Sequence, residues 1–139
     1  MRNIVVDAGP MIAMFDRDDA HHAQAGEFLR RTGECRLITT SVVIGEVAAM
    51  LSDVQPSLFR FMDWLSAVVE IDDALREDLP RIIEIMRKYG DLPADLADVS
   101  LVVLCERRGV ATIASVDSDF DVYRLPRSKK FENVFFSPG

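Results

Sequence analysis

Four short runs of β-branched and apolar residues are separated by stretches long enough to form helices. The runs are Ile4-Val5-Val6, Leu37-Ile38-Thr39, Val68-Val69-Glu70-Ile71 and Ala111-Thr112-Ile113-Ala114-Ser115. Each is apolar on both faces rather than alternating. Such strands belong inside a parallel sheet covered by helices on each side, because an antiparallel sheet with one wet face would show period-two polarity. A last strand is expected around Val134-Phe135-Phe136. The chain has 139 residues, the size of one ordinary domain, with no repeat, linker or low-complexity segment. The expectation is a single α/β domain over residues 1–139, a short parallel sheet flanked by helices.

Turn and cap residues place the helices. Pro10 opens a short helix through Met11 to Phe15, and Asp18 or Asp19 caps a helix reaching Arg31, stopped by Gly33. Thr40 or Ser41 caps a helix from Val42 to Leu51, and Pro56-Ser57 begins one running through Trp64. A helical region between Asp73 and Tyr89-Gly90 contains Pro80, which is expected to split or kink it. Pro93 opens a long apolar helix to about Arg108, closed by Gly109.

Hydrophobic residues are 49% and charged residues 28%, a composition that folds. The formal net charge of -7 repels polyanions, so nucleic-acid binding would need a device that tolerates phosphate. Cys35 and Cys105 sit among apolar neighbours, where packed thiols are expected. No segment is long and apolar enough for a signal peptide or a membrane span, so a cytoplasmic protein is expected.

The acids in apolar places carry the functional reading. Glu46 is the only charged residue between Ser41 and Leu51, and Asp98 lies among Leu96, Ala97, Val99, Leu101, Val102, Val103 and Leu104. A carboxylate buried there costs several kcal/mol unless paired or metal-bound. Asp7 and Asp117 instead follow strand runs, and parallel α/β sheets place their sites at the carboxyl ends of strands. Singly, each has a plain structural explanation: Glu46 on an exposed stripe, Asp98 facing water near a helix start, Asp117 capping a turn. That explanation is weaker for Asp7, since Pro10 supplies the next helix start. Four together are harder to dismiss. Converging carboxylates with no Lys or Arg beside them require a proton or a divalent cation. Oxygen ligands without Cys or His favour Mg²⁺ or Mn²⁺, which can polarise a phosphodiester and activate water.

These same residues carry a family resemblance. Val5-Val6-Asp7-Ala8-Gly9-Pro10, the stretch Thr39 to Glu46-Val47, Leu92-Pro93-Ala94-Asp95-Leu96-Ala97-Asp98-Val99-Ser100-Leu101-Val102 and Ser115-Val116-Asp117-Ser118-Asp119-Phe120 resemble, in order, the four acidic motifs of PIN-domain proteins. In length and wording the chain is closest to VapC-like toxins of bacterial type II toxin–antitoxin pairs. The resemblance implies a three-layer α/β/α endoribonuclease using Mg²⁺ or Mn²⁺, a homodimer inhibited by a cognate antitoxin. It implies Asp7, Glu46, Asp98 and Asp117 as the catalytic and metal-binding quartet, with Asp119 as a further metal-site acid. Asp95, one turn before Asp98, is either a supporting residue or an exposed one. The family often has Thr or Ser after its first acid, where this chain has Ala8. In the strand before Asp117, Thr112 and Ser115 offer hydroxyls.

Arg124, Arg127, Lys129 and Lys130 form the one dense basic segment, either a solvated loop or an RNA phosphate contact. Arg17, Arg107 and Arg108 would extend such a path only if the fold brings them alongside. His21-His22 are adjacent, so they point about 100° apart on a helix and make no chelating pair. Leu58, Phe59, Phe61, Met62, Trp64 and Leu65 exceed what one face of a short helix needs, and a part-exposed stripe there would serve a dimer or a partner helix. Two other functional classes compete: a catalytically inactive PIN-like protein-binding or regulatory domain, and a phosphoryl-transfer response domain. The latter needs a lysine near its carboxylates, and none occurs before Lys88.

Overall fold

The computed structural model describes residues 1–90 and 95–136. Five parallel strands form one sheet: β1 (Asn3–Val6), β2 (Arg36–Thr40), β3 (Glu70–Asp72), β4 (Thr112–Ala114) and β5 (Glu132–Asn133), in the order β3-β2-β1-β4-β5. Six helices pack around it: α1 (Ala8–Phe15), α2 (His22–Arg31), α3 (Ser41–Leu51), α4 (Gln55–Val68), α5 (Leu75–Lys88) and α6 (Leu96–Arg108). The expected α/β class with a parallel sheet holds.

The strand order fixes where a site can form. The chain moves outward from β1 to β2 and β3, then returns to lay β4 on the other side of β1. The gap above β1 and β4 is therefore the point where strand order reverses, the usual ligand crevice of an open α/β sheet. Val6 pairs with Ala114, so Asp7 and Ser115 emerge side by side there. Val5, Val6, Ile38 and Ile113 are fully buried, as a two-sided sheet core requires. Residues Ala97 to Cys105 of α6 are all buried, so that helix is apolar on every side. Gly109 ends it in a left-handed conformation, φ 67°.

Several boundaries differ from expectation. Helix α1 begins at Ala8, not Pro10, and Asp7 is its cap: the Asp7 carboxylate accepts from the Ala8 N–H at 2.8 Å. A cap is needed there after all, and Pro10 simply occupies the first turn, where its missing N–H costs nothing. Neither Asp18 nor Asp19 caps α2, which starts after His21 without a side-chain cap. Asp19 instead accepts from the His21 N–H at 2.8 Å in the preceding turn; the helix does end at Arg31, with Thr32 as its C-cap and Gly33 directly after. Val68 closes α4, so β3 starts two residues late, at Glu70. The last strand is Glu132–Asn133 rather than Val134–Phe136, although the Val134 N–H still donates to the Ile113 carbonyl at 2.8 Å. Thr40 caps α3 as expected. Pro93 lies outside the described residues.

Pro80 neither splits nor ends α5, which runs unbroken through it. Pro80 faces solvent, where water can take the hydrogen bond it forgoes, while Ile82 and Ile85 are buried on the other side of the helix. Packing on one face outweighs the local backbone penalty.

A buried ion network ties β3, α5 and α6 together. Asp72 and Asp78 are only 6% and 8% exposed. Arg107 donates to Asp72 at 2.7 and 2.9 Å and to Asp78 at 2.9 and 3.1 Å, and Arg108 donates to Asp72 at 2.9 Å. These guanidinium groups hold the Asp72 carboxyl below its usual range, the Arg107 hydrogen bond most of all. Arg107→Ala would leave Asp78 without a cation and Asp72 with one. We expect it to cost about 2 kcal/mol, discounted from the cost of breaking a fully buried pair because Arg107 is part-exposed. Chemical denaturation measures this directly.

Candidate active site

Six acids gather where β1, β4, α3 and α6 meet. Asp7, 4% exposed, caps α1 and accepts on its other oxygen from the Ser115 hydroxyl at 2.9 Å. Burial pushes its carboxyl up to about 6, against the lowering effect of those two hydrogen bonds, with Asp117 and Glu46 adding repulsion. Asp98, 6% exposed, stands in the first turn of α6, whose cap is Asp95; the Asp95 carboxylate accepts from the Asp98 N–H at 2.8 Å. Burial again dominates at Asp98, followed by the charges of Asp7 and Asp95, a hydrogen bond shared with the Asp119 carboxyl, and the charge of Asp117. Together they push Asp98 well above the carboxylate range.

Glu46 corrects the sequence argument. It is exposed, beside exposed Gly45, Ala49 and Met50, so α3 turns an apolar but solvent-facing side outward. Its apolar neighbours therefore do not bury it. Its carboxyl is still pushed up, by partial loss of water first and then by the charges of Asp95 and Asp117. Asp117 is exposed as well and accepts from the Asp119 N–H at 3.1 Å and from the Ser115 hydroxyl at 3.4 Å. It thus shapes the 3-10 turn Asp119–Asp121 while its other oxygen is left to solvent. Asp119, half-buried, stands beside Asp98 rather than at the margin.

Two further residues hold this geometry. Ser115 touches both Asp7 and Asp117, and was among the hydroxyls the sequence offered. Thr112, the other, lies at the far end of β4 from Asp7. Asn133 was missed. Its side chain accepts from the Ser115 N–H at 3.2 Å and donates to the Ser115 carbonyl at 3.1 Å, extending the ladder where β5 has ended. A lone Asn at the end of a two-residue strand gives no sequence signal for that role.

Gly9 sets the spacing of the two strand-end segments. A Cβ placed there would meet Val116 Cγ2 at 2.2 Å, a stiff β-branched side chain beside Asp117. We expect Gly9→Ala to displace the Val116-Asp117 segment and lower catalytic turnover by about tenfold, a shift of roughly 1 Å at a site being enough for more than that. Steady-state kinetics beside a thermal melt separate this from simple unfolding.

The acid centre contrasts with the buried Asp72–Asp78 pair. There, arginines satisfy carboxylates of similar burial. Among the described residues no Lys or Arg lies within ion-pair distance of Asp7, Glu46, Asp95, Asp98, Asp117 or Asp119. Arg107 and Arg108 are held by Asp72, Asp78 and Glu70, and Arg17 lines a separate cleft with Asp16, Asp18 and Arg60, so none extends a basic path to the centre. His22 Nδ1 donates to the Ala13 carbonyl at 2.7 Å and His21 packs edge-on to Phe135 and Phe136; both are packing residues. Cys105 is buried and its thiol pushed up to about 12 by burial, which removes it as a nucleophile.

The donor set fits a hard divalent cation in its chemistry: six carboxylates, no sulfur or imidazole, and mutual repulsion that a cation relieves. Among the described residues no three are already drawn around one point as a closed cage. Glu46 and Asp117 are exposed to solvent where an incoming ion would meet them, whereas Asp7 is buried behind them.

Comparison with known proteins agrees with this fold. The sequence model for the PIN domain matches residues 4–125. No curated protein matches the sequence. Among solved structures, the chain is similar to VapC20 of Mycobacterium tuberculosis, a Sarcin-Ricin loop cleaving toxin, with TM-score 0.75 and 18% identity over 84% of this chain and 91% of that one. It is also similar to VapBC2 from Rickettsia felis, solved on a DNA fragment from its promoter, with TM-score 0.68 and 13% identity over 94% and 98%. At such identities the structures speak for the fold alone, and the family match spans most of the sequence. The chain belongs to the PIN domain family.

Proposed function

We propose that the protein is a metal-dependent endoribonuclease, hydrolysing RNA phosphodiester bonds as the toxin of a type II toxin–antitoxin pair. The observation that carries this is the pair of buried carboxylates, Asp7 and Asp98, left without any cationic side chain in a protein that pairs its other buried acids with arginine. Keeping such a pair is destabilising unless a cation is recruited, and a recruited cation is what an acidic chain needs to receive phosphate.

Asp7, Glu46, Asp98 and Asp117 would hold Mg²⁺ or Mn²⁺, with Asp119 in support. When bound, the ion polarises the scissile phosphodiester and acidifies a water nucleophile. The chain's own residues do the rest. Ser115 and the Ala8 N–H hold Asp7 in a single orientation, and Asp95 fixes the start of α6 so that Asp98 points at Asp7 and Asp119. The Asp98 carboxyl stands against Asp119, so these two acids would share in holding the cation and, in its absence, favour a proton between them. The positive ends of α1 and α6 offset part of the carboxylate repulsion.

An antitoxin and a second copy of the chain are the expected partners. Phe59 and Met62 of α4 are 60% and 48% exposed, beside the equally exposed Met50 and Val54, whereas Phe61 and Leu65 are buried. This is the part-exposed apolar stripe that a protein partner would cover. Among the described residues no helix is long and apolar enough to cross a membrane.

Cleavage of labelled RNA should vanish in EDTA and return with Mg²⁺ or Mn²⁺. Cleavage that persists in EDTA would overturn the reading, and so would a failure of calorimetry to detect divalent-ion binding.

A further inference from the structure

The basic segment of the sequence does not act as one unit. Arg124 and Arg127 line a cleft of about 230 Å³ whose opposite wall is α5, contributing Lys88 and Arg81. Lys129 instead lines a different depression with Cys105, Gly109 and Val110. Arg81 is neutralised, donating to Glu106 at 2.8 and 2.9 Å and to Glu84 at 3.0 Å. Among the described residues Lys88, Arg124 and Arg127 have no carboxylate within ion-pair distance.

Each of the three is held in place. Arg124 donates through Nη1 to the carbonyls of Asp121, Val122 and Tyr123 at 2.6, 3.1 and 2.9 Å, which fixes the guanidinium plane while its other donors stay available. Arg127 and Ser128 both adopt left-handed backbone, φ 65° and 59°, in a turn closed by the Leu125 N–H donating to the Lys129 carbonyl at 2.9 Å. Two successive non-glycine residues in that region cost on the order of 1 kcal/mol each, in a turn type that ordinarily selects Asn-Gly. Lys88 sits over the Tyr89 ring, its Nζ 5.3 Å from the centroid.

The same aromatic wall joins the cleft to the acid centre. Tyr89 packs edge-on against Tyr123 at 5.2 Å, and Tyr123 against Phe120, which lies in the turn bearing Asp119. The buried Tyr123 hydroxyl lies within electrostatic reach of Asp98, Asp119, Asp95 and Asp117. This stack is mostly buried, so it sets the spacing between the acid centre and the cleft, and a strand leaving the carboxylates toward the cleft meets Lys88, Arg124 and Arg127.

We infer that the cleft between α5 and the 124–128 turn is the phosphate-backbone track for single-stranded RNA on one side of the scissile bond, with Lys88, Arg124 and Arg127 as its contacts. The inference rests on the RNA-cleavage reading above and adds Lys88, which the sequence did not single out. Contacts to phosphate are independent of base identity, so they position the strand and leave specificity to other residues.

The test uses full-length protein carrying Asp98→Asn, with Mg²⁺, and fluorescence anisotropy on two unrelated labelled single-stranded oligoribonucleotides. Adding Lys88→Glu and Arg127→Glu together should weaken binding at least about tenfold on both. It should also flatten the dependence of log K on log salt by about 1.4, roughly 0.7 per lost phosphate contact on a single strand. Lys88→Gln with Arg127→Gln should flatten the salt dependence equally, keeping the test open if charge reversal unfolds the turn. Arg60→Glu, in the separate cleft with Asp16 and Asp18, should change neither quantity. Unchanged affinity and salt slope in the double variants, with the unsubstituted chain still cleaving RNA, would overturn the track and leave the nuclease reading intact. An equal loss from Arg60→Glu, or a loss confined to one sequence, would overturn it as well. If the unsubstituted chain cleaves no RNA and the Asp98→Asn protein binds none, the nuclease reading fails and the track with it.

Discussion

Asp98→Asn is expected to reduce RNA cleavage by at least about a thousandfold while raising the thermal stability of the metal-free protein. The two effects share one cause. Asp98 is the acid most strongly pushed up in the site, by burial, by Asp7 and Asp95, by its bond to Asp119 and by Asp117. An amide of the same shape keeps a hydrogen bond to Asp119 but removes a charge that the fold accommodates poorly. Catalysis moves the other way under the proposed reading, in which the missing carboxylate would be a ligand and several kcal/mol of transition-state stabilisation would go with the ion; each 1.36 kcal/mol is about tenfold in rate. Activity lost with stability gained is the signature of a residue kept for function. A variant that loses both would assign Asp98 to packing, and one that keeps full cleavage would remove it from the quartet. Asp7→Asn should behave differently: Asn caps a helix as well as Asp, so α1 survives, but the amide cannot accept from both Ala8 and Ser115 through oxygen.

Much of this site could be read from the chain because its parts obey local rules. Apolar runs on both sides of a sheet have no polar alternation, so β1, β2 and β4 were legible, and Asp7 and Asp117 fall at their carboxyl ends because parallel sheets put loops there. The expectation that Asp98 is a carboxylate inside an apolar helix holds, since α6 is buried all round there. Glu46 was found by a wrong argument: α3 exposes Gly45, Ala49 and Met50, and an apolar neighbourhood in sequence is not burial in space. What escaped the sequence is tertiary. Pro80 continues α5 because Ile82 and Ile85 anchor it. Asn133 serves Ser115 across 18 residues of chain, and Lys88 reaches the cleft only because α5 lies beside the 124–128 turn.

The same electrostatics predict an inverted pH profile for stability. Asp7 has its carboxyl raised from 3.8 to about 6 in the fold, and Asp98 is raised further. A group whose pKa is higher folded than unfolded binds its proton more tightly in the native state. It therefore contributes stability that is fully present below the unfolded pKa and is lost as pH rises through the folded one. For Asp7 alone the shift of about 2 units is worth about 3 kcal/mol, present near pH 4 and gone above about pH 7. The Arg-paired Asp72 works in the opposite sense, its stabilisation present above the unfolded pKa and lost on acidification, so the acid limb of the profile belongs to that network. Between pH 5 and 8 about 1.4 kcal/mol of the Asp7 contribution is lost, so the metal-free protein should lose melting temperature, on the order of 5 °C from Asp7 for a domain of this size and more from Asp98. Mg²⁺ or Mn²⁺ should restore it at pH 8 and do far less at pH 5, because protons and cation compete for the same oxygens. Calorimetric melts across that range, with EDTA and with Mn²⁺, read both limbs. A metal-free protein that is most stable at pH 8, or a cation effect indifferent to pH, would show that the carboxylates of Asp7 and Asp98 are neutralised by something within the chain, and the case for a recruited cation would fall.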